Sequence, residues 1–411
     1  MIFNNYPILL DHIAQKMNES DIDFIIKVGS YWQAIGADAF IYELSKKKEN
    51  QIPKGIIIIV PQSLGFTLNE SFFSCVKYSD VQFHFLDEKP GSFIIVIKQI
   101  FKFLLSIKNI NHNRKENKKI YFGSVLNIDL NLISLFINKN LSFKYHPAFF
   151  LIESGIGTYN PRKIWKNIIS GYVLRNYNKL NKRNRLKLYI KLKSSFIITD
   201  LIENTLFKLV NTKKMFLFDK KDDVLFPNPV NIQLYKNVLK KRNDFINLEK
   251  EDIFAILVTA PDIEEGRIGS DEELKFLEKV ISLVISKNLN LAIKPHPKES
   301  LDKYEYFLSK FSVNKFKIIS KGIPVEDLFL QYNIQCIIGY SSTALVNARV
   351  LYDIPVISLI DIKNYNKESY MEKYRVIFKK LTENIIITYP DGWEDLEKKI
   401  ENLKQIKESN I

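Results

Sequence analysis

The sequence predicts an α/β protein built from two Rossmann-like domains that face a central cleft. Short, continuously apolar segments alternate with longer helical patterns, which is typical of strand–helix–strand units and a parallel sheet. This alternation runs through residues 24–153, stops, and begins again at residue 254. The chain has 411 residues, 46% of them hydrophobic, and is therefore long enough for two such domains.

The first half opens with residues 1–20, which are expected to form a short helix or an irregular lead. Its predicted strands are 24–29, 56–60, 81–86, 119–122 and 149–153, and its predicted helices are 30–44, 68–78, 92–108 and 129–138. In the second half, strands are predicted at 254–259, 289–293, 316–320, 334–338 and 355–359, and helices at 271–287 (capped by Ser270), 301–311, 325–331 and 342–351. A closing helix, 394–409, is expected to pack back on the first half.

The composition changes between the two halves. Residues 162–193 contain eleven Lys or Arg and no Asp or Glu, with apolar residues at helical spacing. This pattern predicts basic amphipathic helices, either as a solvated face or as a surface for anionic lipid head groups or an anionic glycan. Short strands are predicted at 195–199 and 215–218, and the polar segment 219–248 indicates an interdomain linker.

Charge and cysteine content limit the partners and the compartment. The formal net charge of +14 favours an anionic partner. No nucleic-acid-binding module is recognised, and the basic segment lacks the aromatic spacing of a base-stacking platform. The only cysteines are Cys75 and Cys336, and the N-terminus lacks a signal-peptide pattern, so we expect a cytoplasmic protein without disulfides.

The first candidate site motif is Ala292-Ile293-Lys294-Pro295-His296-Pro297-Lys298-Glu299. An apolar strand stops at the two prolines, which fix His296 in a loop at the carboxyl end of that strand. Ligands bind at this edge of open α/β sheets. The motif therefore predicts an imidazole at the rim of the cleft.

The second motif is Ile337-Ile338-Gly339-Tyr340-Ser341-Ser342-Thr343. A strand ends at Gly339, and three hydroxyl residues then open a helix, which is the pattern of an anion site for phosphate. We expect the two motifs to lie on adjacent strands.

The third motif, Leu151-Ile152-Glu153-Ser154-Gly155-Ile156-Gly157-Thr158-Tyr159, follows the last strand of the first half. It is too short for a dinucleotide-binding fingerprint. His146-Pro147 precedes this strand and is interpreted as structural. The remaining histidines, His12, His84 and His112, have no metal-ligand spacing, and no metal site is predicted.

The three motifs together resemble those of bacterial sialyltransferases, in particular the capsular polysialyltransferases and the lipooligosaccharide sialyltransferases of glycosyltransferase family 52. The stretches GxGTY, IKxHPKE and IIGxSS match those family motifs almost letter for letter, and IPVEDL at 323–328 is similar. The resemblance covers 145–360 in spaced blocks. It implies the GT-B fold and transfer of sialic acid from CMP-sialic acid to a cell-surface glycan of capsule, lipooligosaccharide or O-antigen.

The resemblance also implies roles for individual residues. Transfer would invert the sugar and need neither metal nor cofactor. His296 would contact the CMP phosphate, as a cation, and protonate it as the leaving group, and Glu153 would be the base that deprotonates the acceptor hydroxyl. Further CMP contacts fall on Lys294, Pro297, Glu326, Gly339, Ser341, Ser342 and Thr343, with Glu326 on the ribose hydroxyls.

The implied organisation has four parts. Residues 1–160 form the acceptor domain, 161–248 the basic segment and linker, 249–390 the CMP-sugar-binding domain and 391–411 the closing helix. Through 162–193 the enzyme would lie peripherally on the anionic inner membrane. Its other partners would be the CMP-sugar and the glycan acceptor.

One letter departs from the family pattern, which has two acidic residues before the glycine where this chain has Glu153 and Ser154. The base could instead be one of four acidic residues that follow the carboxyl end of another strand: Asp262, Glu264, Glu265 or Asp271. Three alternatives to sialyl transfer stay open at this point. They are a CMP-Kdo transferase, a CDP-glycerol transferase and a catalytically inactive GT-B partner subunit.

Overall fold

The computed structural model describes residues 1–3, 5–48, 51–60, 68–86, 118–125, 145–153, 155–159, 212–243, 251–312, 314–364 and 370–409. Several predictions lie outside the described residues: the helices at 92–108 and 129–138, the basic segment 162–193, the strand at 195–199 and the position of Ser154.

The first domain is a parallel sheet with the order β1-β4-β3-β2-β5-β6-β7 among its described strands. Its central strands are buried runs of Ile and Phe, as parallel strands covered on both faces require. The strands are β1 (Ile2–Phe3), β2 (Phe24–Val28), β3 (Lys54–Ile59), β4 (Asp80–Leu86), β5 (Lys118–Val125), β6 (Tyr145–Ile152) and β7 (Thr212–Met215). Helix α1 (Tyr6–Glu19) begins where the Asn5 side chain accepts a hydrogen bond from the backbone N–H of Ile8 at 3.0 Å.

The second domain is a parallel sheet with the order β12-β11-β10-β13-β14. Its elements are β10 (Glu251–Val258), α4 (Ser270–Ser286), β11 (Leu291–Lys294), α5 (Asp302–Lys310), β12 (Phe316–Ile318), α6 (Val325–Gln331), β13 (Tyr332–Gly339), α7 (Thr343–Tyr352) and β14 (Val356–Ser358). Helices α8 (Tyr370–Leu381) and α9 (Trp393–Ser409) follow. The predicted arrangement of two Rossmann-like domains, the GT-B class, is confirmed.

Helix α2 (Tyr31–Lys47) lies between the first sheet and a helix from the middle of the chain. Ser30 caps it by accepting a hydrogen bond from the backbone N–H of Gln33 at 3.3 Å. The opposing helix is α3 (Pro229–Asn243), which follows an antiparallel hairpin of β8 (Phe218–Lys221) and β9 (Val224–Pro227). The prediction of a linker at 219–248 was therefore wrong for its described part.

The two domains share apolar packing. One continuous cluster of buried side chains includes Ile152 and Tyr235 from the first domain and Leu328 and Leu345 from the second. The interface therefore lies where α2 and α3 meet α6 and α7. Among the described helices, none combines the length and the apolar character that a membrane crossing requires.

Four local predictions were wrong. Residues 68–78 form two short 3-10 turns instead of a helix, because the buried Asp38 carboxylate accepts the backbone N–H groups of Ser74 and Cys75. Helix α4 starts at Ser270 and is preceded by Gly269, without a side-chain cap.

The closing helix α9 packs on the second sheet, not on the first half, through two side chains one turn apart, Leu396 and Ile400. Helix α8 was not predicted. His146-Pro147 lies inside β6 rather than before it.

Candidate active site

The candidate site lies at the carboxyl edge of the second sheet. Strand β11 ends at Lys294 and strand β13 ends at Gly339, and both pair with β10. The His-Pro loop and the serine motif therefore share one rim, but they are not on adjacent strands as predicted, because β10 lies between them.

The His-Pro loop is held in a turn by its own glutamate. The backbone N–H of His296 donates to Glu299 Oε2, and the backbone N–H of Lys298 donates to His296 Nδ1 at 3.2 Å. Since Nδ1 is an acceptor, the hydrogen of the neutral ring lies on Nε2. His296 is half-buried, and no partner of Nε2 is found among the residues that the structure describes.

Burial lowers the pKa of His296 to about 4, and the positive charges of Lys298 and Arg267 add to this effect. The ring is therefore neutral near pH 7 in this arrangement. The expected cationic form of His296 concerns the phosphate-bound state and stays a prediction.

Sequence reasoning missed the importance of Glu299, which is 1% exposed. Its carboxylate accepts from the Thr259 hydroxyl at 2.6 Å, from Lys303 Nζ at 2.5 Å and from the Tyr304 hydroxyl at 3.0 Å. These donors come from the end of β10 and from α5, so Glu299 anchors the His296 turn. The signal was present as a carboxylate three residues after the histidine.

Lys294 is the last residue of β11, and its amine lies at the carboxyl edge of the sheet. Its Nζ donates to the carbonyl of Pro295 at 2.9 Å and to the carbonyl of Lys321 at 3.3 Å. Burial lowers the pKa of Lys294 to about 8, although the nearby carboxylates of Glu326 and Glu299 partly offset this.

Glu326 lies in the first turn of α6 and is 7% exposed. Its Oε1 accepts a hydrogen bond from Asn347 Nδ2 at 3.0 Å. Burial raises the pKa of Glu326, and the hydrogen bond from Asn347 and the charge of Lys294 act against that shift. The predicted ribose-binding carboxylate thus lies beside the predicted phosphate-binding residues.

The serine motif forms the start of α7 as predicted. Ser342 is the N-cap and accepts a hydrogen bond from the backbone N–H of Ala344 at 3.2 Å. Ser341, Ser342 and Thr343 are all half-buried. Gly339 leaves room for the backbone, since a Cβ there would lie 3.1 Å from the Val258 carbonyl oxygen.

The glycine motif of the first domain reaches this helix. Gly155 has φ +104°, and a Cβ built on it would lie 2.6 Å from Thr343 Oγ1. The turn that follows, Ile156–Tyr159, packs against α7. Two of the three sequence motifs therefore meet across the domain boundary, at the N-terminus of α7.

Glu153 is enclosed, being 1% exposed. Its Oε1 accepts from Trp32 Nε1 at 2.8 Å, and its Oε2 accepts from the Leu217 backbone N–H at 2.9 Å and from the Tyr159 hydroxyl. Burial raises the pKa of Glu153, while these three hydrogen bonds act in the opposite direction. Trp32 and Tyr159 therefore cover the carboxylate to which the resemblance gives the role of base.

The alternative bases separate into two groups. Asp262 is fully buried between Lys363 at 2.6 Å and Arg267 at 2.9 Å. Burial alone would raise the pKa of Asp262, but the charges of Lys363 and Arg267 hold that pKa below its usual value. Asp262 is thus part of a buried ion-pair network with Lys363 and Arg267.

Glu264, Glu265 and Asp271 are more accessible. Glu264 accepts from the Ser300 backbone N–H at 2.8 Å, and Glu265 is 3.3 Å from Lys298 Nζ. These contacts bind the loop after β10 to the His-Pro loop. Asp271 is exposed in the first turn of α4. Within the described part of the chain, no group of three His, Cys, Asp or Glu is arranged to hold a metal ion.

Comparisons with known proteins identify relatives of this chain. A family model described as alpha-2,8-polysialyltransferase matches residues 24–361. No curated protein matches the chain at a significant level. The family assignment rests on the match to the family model.

Three solved structures show a similar overall arrangement. An alpha/beta-galactoside alpha-2,3-sialyltransferase from Photobacterium phosphoreum is 13% identical, with 90% of this chain and 98% of that chain covered and a TM-score of 0.44. The GT-B domain of a Photobacterium damselae sialyltransferase is also 13% identical, with coverages of 90% and 100% and a TM-score of 0.40. A UDP-GlcNAc 2-epimerase from Methanocaldococcus jannaschii is 15% identical, with coverages of 93% and 92% and a TM-score of 0.47.

Proposed function

Because this chain belongs to the alpha-2,8-polysialyltransferase family and is a sialyltransferase, we propose that it moves sialic acid from CMP-sialic acid to a cell-surface glycan, with inversion. The glycan belongs to capsule, lipooligosaccharide or O-antigen. The observation that carries the proposal is the contact between Gly155 and Thr343. It joins the acceptor-side motif to the helix N-terminus that suits the donor phosphate.

The phosphate lies at the start of α7 in this proposal. The backbone N–H groups and the hydroxyls of Ser341, Ser342 and Thr343 bind it, and the buried amine of Lys294 supplies positive charge. Pro297 and Gly339 shape the two loops around it. Glu326 accepts hydrogen bonds from the ribose hydroxyls.

His296 serves as a hydrogen-bond donor through Nε2. The departing CMP carries its charge on a phosphate whose second pKa is about 6, so it leaves as an anion without needing a proton. A bound phosphate raises the pKa of the nearby imidazole, which strengthens the same hydrogen bond as charge develops. This role replaces the predicted protonation of the leaving group.

Glu153 is the general base in this proposal. Two properties support it: burial raises its pKa, as a base working near neutral pH requires, and it lies two residues from the Gly155–Thr343 contact. Trp32 or Tyr159 must move to let the acceptor hydroxyl reach it. Glu264 is exposed and Glu265 is half-buried, and both contact the His-Pro loop, on the leaving-group side. Inversion needs a base on the opposite face of the sugar.

No metal ion or cofactor takes part in the proposed reaction. The cation of Lys294 and the helix N-terminus supply the charge stabilisation that a metal would otherwise give. Full activity in EDTA is the expected result, and a loss that Mg²⁺ or Mn²⁺ restores would contradict it.

The enzyme also contacts the anionic inner membrane peripherally in this proposal, through 162–193. Each Lys or Arg near such a surface adds about 1 kcal/mol of binding. Reversing the charge of Lys182, Arg183 and Arg185 should weaken sedimentation with anionic liposomes and spare turnover of a soluble acceptor. Equal losses in both assays would assign the segment to the acceptor cleft.

The test of the donor is direct. The protein is incubated with CMP-sialic acid or CMP-Kdo and a panel of glycan acceptors, and products are read by mass spectrometry. A thermal-shift series with CMP, CDP and UDP runs in parallel. Transfer from CMP-Kdo alone would identify CMP-Kdo as the donor instead of CMP-sialic acid. Stronger stabilisation by CDP than by CMP would indicate a CDP-linked donor. CMP binding without any transfer would indicate an inactive partner subunit.

A further inference from the structure

Arg242, near the end of α3, lies in the interface between the two domains. Its side chain is 11% exposed, and its guanidinium stacks 5.0 Å from the centre of the Tyr31 ring. Within the first domain it donates to the carbonyl of Phe72 and lies 3.9 Å from Asp38 Oδ2. Contacts within the first domain, with the Tyr31 ring, the Phe72 carbonyl and the Asp38 carboxylate, thus hold the Arg242 side chain in place.

The guanidinium of Arg242 also lies near one carboxylate of the second domain, that of Asp327. Arg242 Nη2 is 4.0 Å from Asp327 Oδ1, and the Tyr31 hydroxyl donates a hydrogen bond to the same oxygen. Burial raises the pKa of Asp327, while the hydrogen bond from Tyr31 and the charge of Arg242 act in the opposite direction. We call Tyr31, Arg242 and Asp327 the interdomain clasp.

The interdomain clasp contacts α6, a short helix that also carries Glu326, the residue proposed to bind the ribose. Asp327 directly follows Glu326 in the first turn of α6, which spans only seven residues. Asp327 faces the first domain, whereas Glu326 bonds to Asn347 of α7. A helix this short cannot hold its own position, so its contacts must do so.

We infer that Tyr31 and Arg242 are positioning residues, which hold Glu326 in the nucleotide pocket through Asp327 and so couple donor binding to the relative position of the two domains. The inference rests on the proposed function for the part that concerns the nucleotide. The geometry of the clasp itself is independent of any ligand.

The first test measures the dissociation constant for CMP by calorimetry. Asp327→Asn removes the charge that Arg242 meets and should weaken CMP binding about tenfold, a difference worth about 1.4 kcal/mol. At saturating donor, kcat and the acceptor KM should stay within about twofold of the unaltered values. Arg242→Lys keeps the charge but not the planar fork, so its effect should be intermediate.

The matched control is Asp353→Asn in the same domain. Asp353 pairs with Arg349 at 2.8 Å, but its side chain is 84% exposed. This exposed pair should contribute little, and CMP affinity should not change. Tyr31→Phe combined with Asp327→Asn should cost less than the sum of the two single changes, because both act on one carboxylate oxygen.

The second test needs no ligand. Spin labels on cysteines introduced at Ile52 and Leu308, which are 65% and 44% exposed, report the distance between the two domains. Asp327→Asn should broaden the distance distribution, and Asp353→Asn should not. Unchanged CMP affinity in both Asp327→Asn and Arg242→Lys, with unchanged distances, would overturn the inference.

The two tests separate the inference from the proposed function. If the unaltered protein binds no CMP, the proposed function fails, and the nucleotide part of the inference fails with it. The distance measurement still decides whether the clasp holds the domains together. If CMP affinity falls only in proportion to the melting temperature, the clasp is a stabilising contact and not a positioning one.

Discussion

Glu153 and His296 both follow the carboxyl ends of parallel strands, yet their surroundings differ. Glu153 is 1% exposed and accepts three hydrogen bonds, whereas His296 is half-buried in a loop and its Nε2 has no partner within the described part of the chain. In the second domain, His296 and the serine motif are half-buried, although Lys294 and Glu326 are buried. The first domain encloses its carboxylate behind Trp32 and Tyr159, so chemistry at Glu153 requires one of these side chains to move.

The largest effect is expected for Glu153→Gln, which tests whether the enclosed carboxylate takes part in the reaction. Transfer should fall on the order of 10²–10⁴-fold, as loss of a general base does, while CMP binding is kept. The amide also places an N–H against one of the donors, so the melting temperature should drop as well. Turnover is therefore measured well below the melting temperature of the variant.

The control for Glu153 is Tyr159→Phe, which removes a hydrogen bond to the same carboxylate but leaves the carboxylate itself. A structural Glu153 predicts parallel losses of stability and activity in both variants. A base predicts that Tyr159→Phe stays far more active. If Glu264→Gln or Glu265→Gln abolishes transfer instead, the base lies on the donor side.

The next effect in size is expected for His296→Ala. Loss of one preorganised donor to developing charge costs about 10²–10³-fold in kcat. The fold should be unaffected, because the half-buried ring packs in a surface loop. His146→Ala is the matched control, since His146 also precedes a proline but is exposed in β6. Turnover of His296→Ala within threefold of the unaltered enzyme would remove His296 from the site.

The contact that joins the two regions can be broken with Gly155→Ala. The new Cβ would lie 2.6 Å from Thr343 Oγ1, and φ +104° is strained for alanine. We expect a tenfold or greater loss of transfer with weaker CMP binding, because the N-terminus of α7 is displaced. Gly266→Ala is the control, because Gly266 has φ +64° and a Cβ added there would meet no described atom within 4 Å. Equal losses in both variants would indicate backbone strain alone.

Much of the fold was predictable because parallel strands that are buried on both faces leave continuous apolar runs. The His-Pro loop and the Ser342 cap were predicted from local signals, a pair of prolines and a hydroxyl before a helix. The family was predicted from three motifs and is confirmed. The roles of the individual site residues stay predictions.

What could not be predicted depends on partners distant in the sequence. Glu153 is enclosed by Trp32 and by the backbone of Leu217, and no local pattern places either beside it. Asp262 follows a strand, which is why it was a candidate base, but it pairs with Lys363 from a later loop. Polarity along 219–243 indicated a linker, although that segment supplies α3 and Arg242.

The smallest effect is expected for Lys294. It tests whether the positive charge of this buried amine contributes to CMP binding. Burial lowers its pKa to about 8, so its positive charge disappears as the pH rises through that value. The phosphate of CMP is already a dianion there, since its second pKa is about 6. CMP affinity should therefore fall several-fold between pH 7.5 and pH 9.5, to an extent set by the loss of a single charge.

The stability of the ligand-free protein should change in the opposite direction. An unfolded lysine has a pKa of about 10.4, so between about pH 8 and about pH 10.4 the unfolded chain binds more protons than the folded one. The Lys294 contribution to the free energy of unfolding therefore rises with pH across this window, while CMP affinity falls. Lys294→Met should flatten both profiles, whereas Lys298→Met, at an exposed position in the same loop, should leave both slopes intact. A pH-independent CMP affinity in the unaltered protein would show that the N-terminus of α7 and His296 hold the phosphate without Lys294.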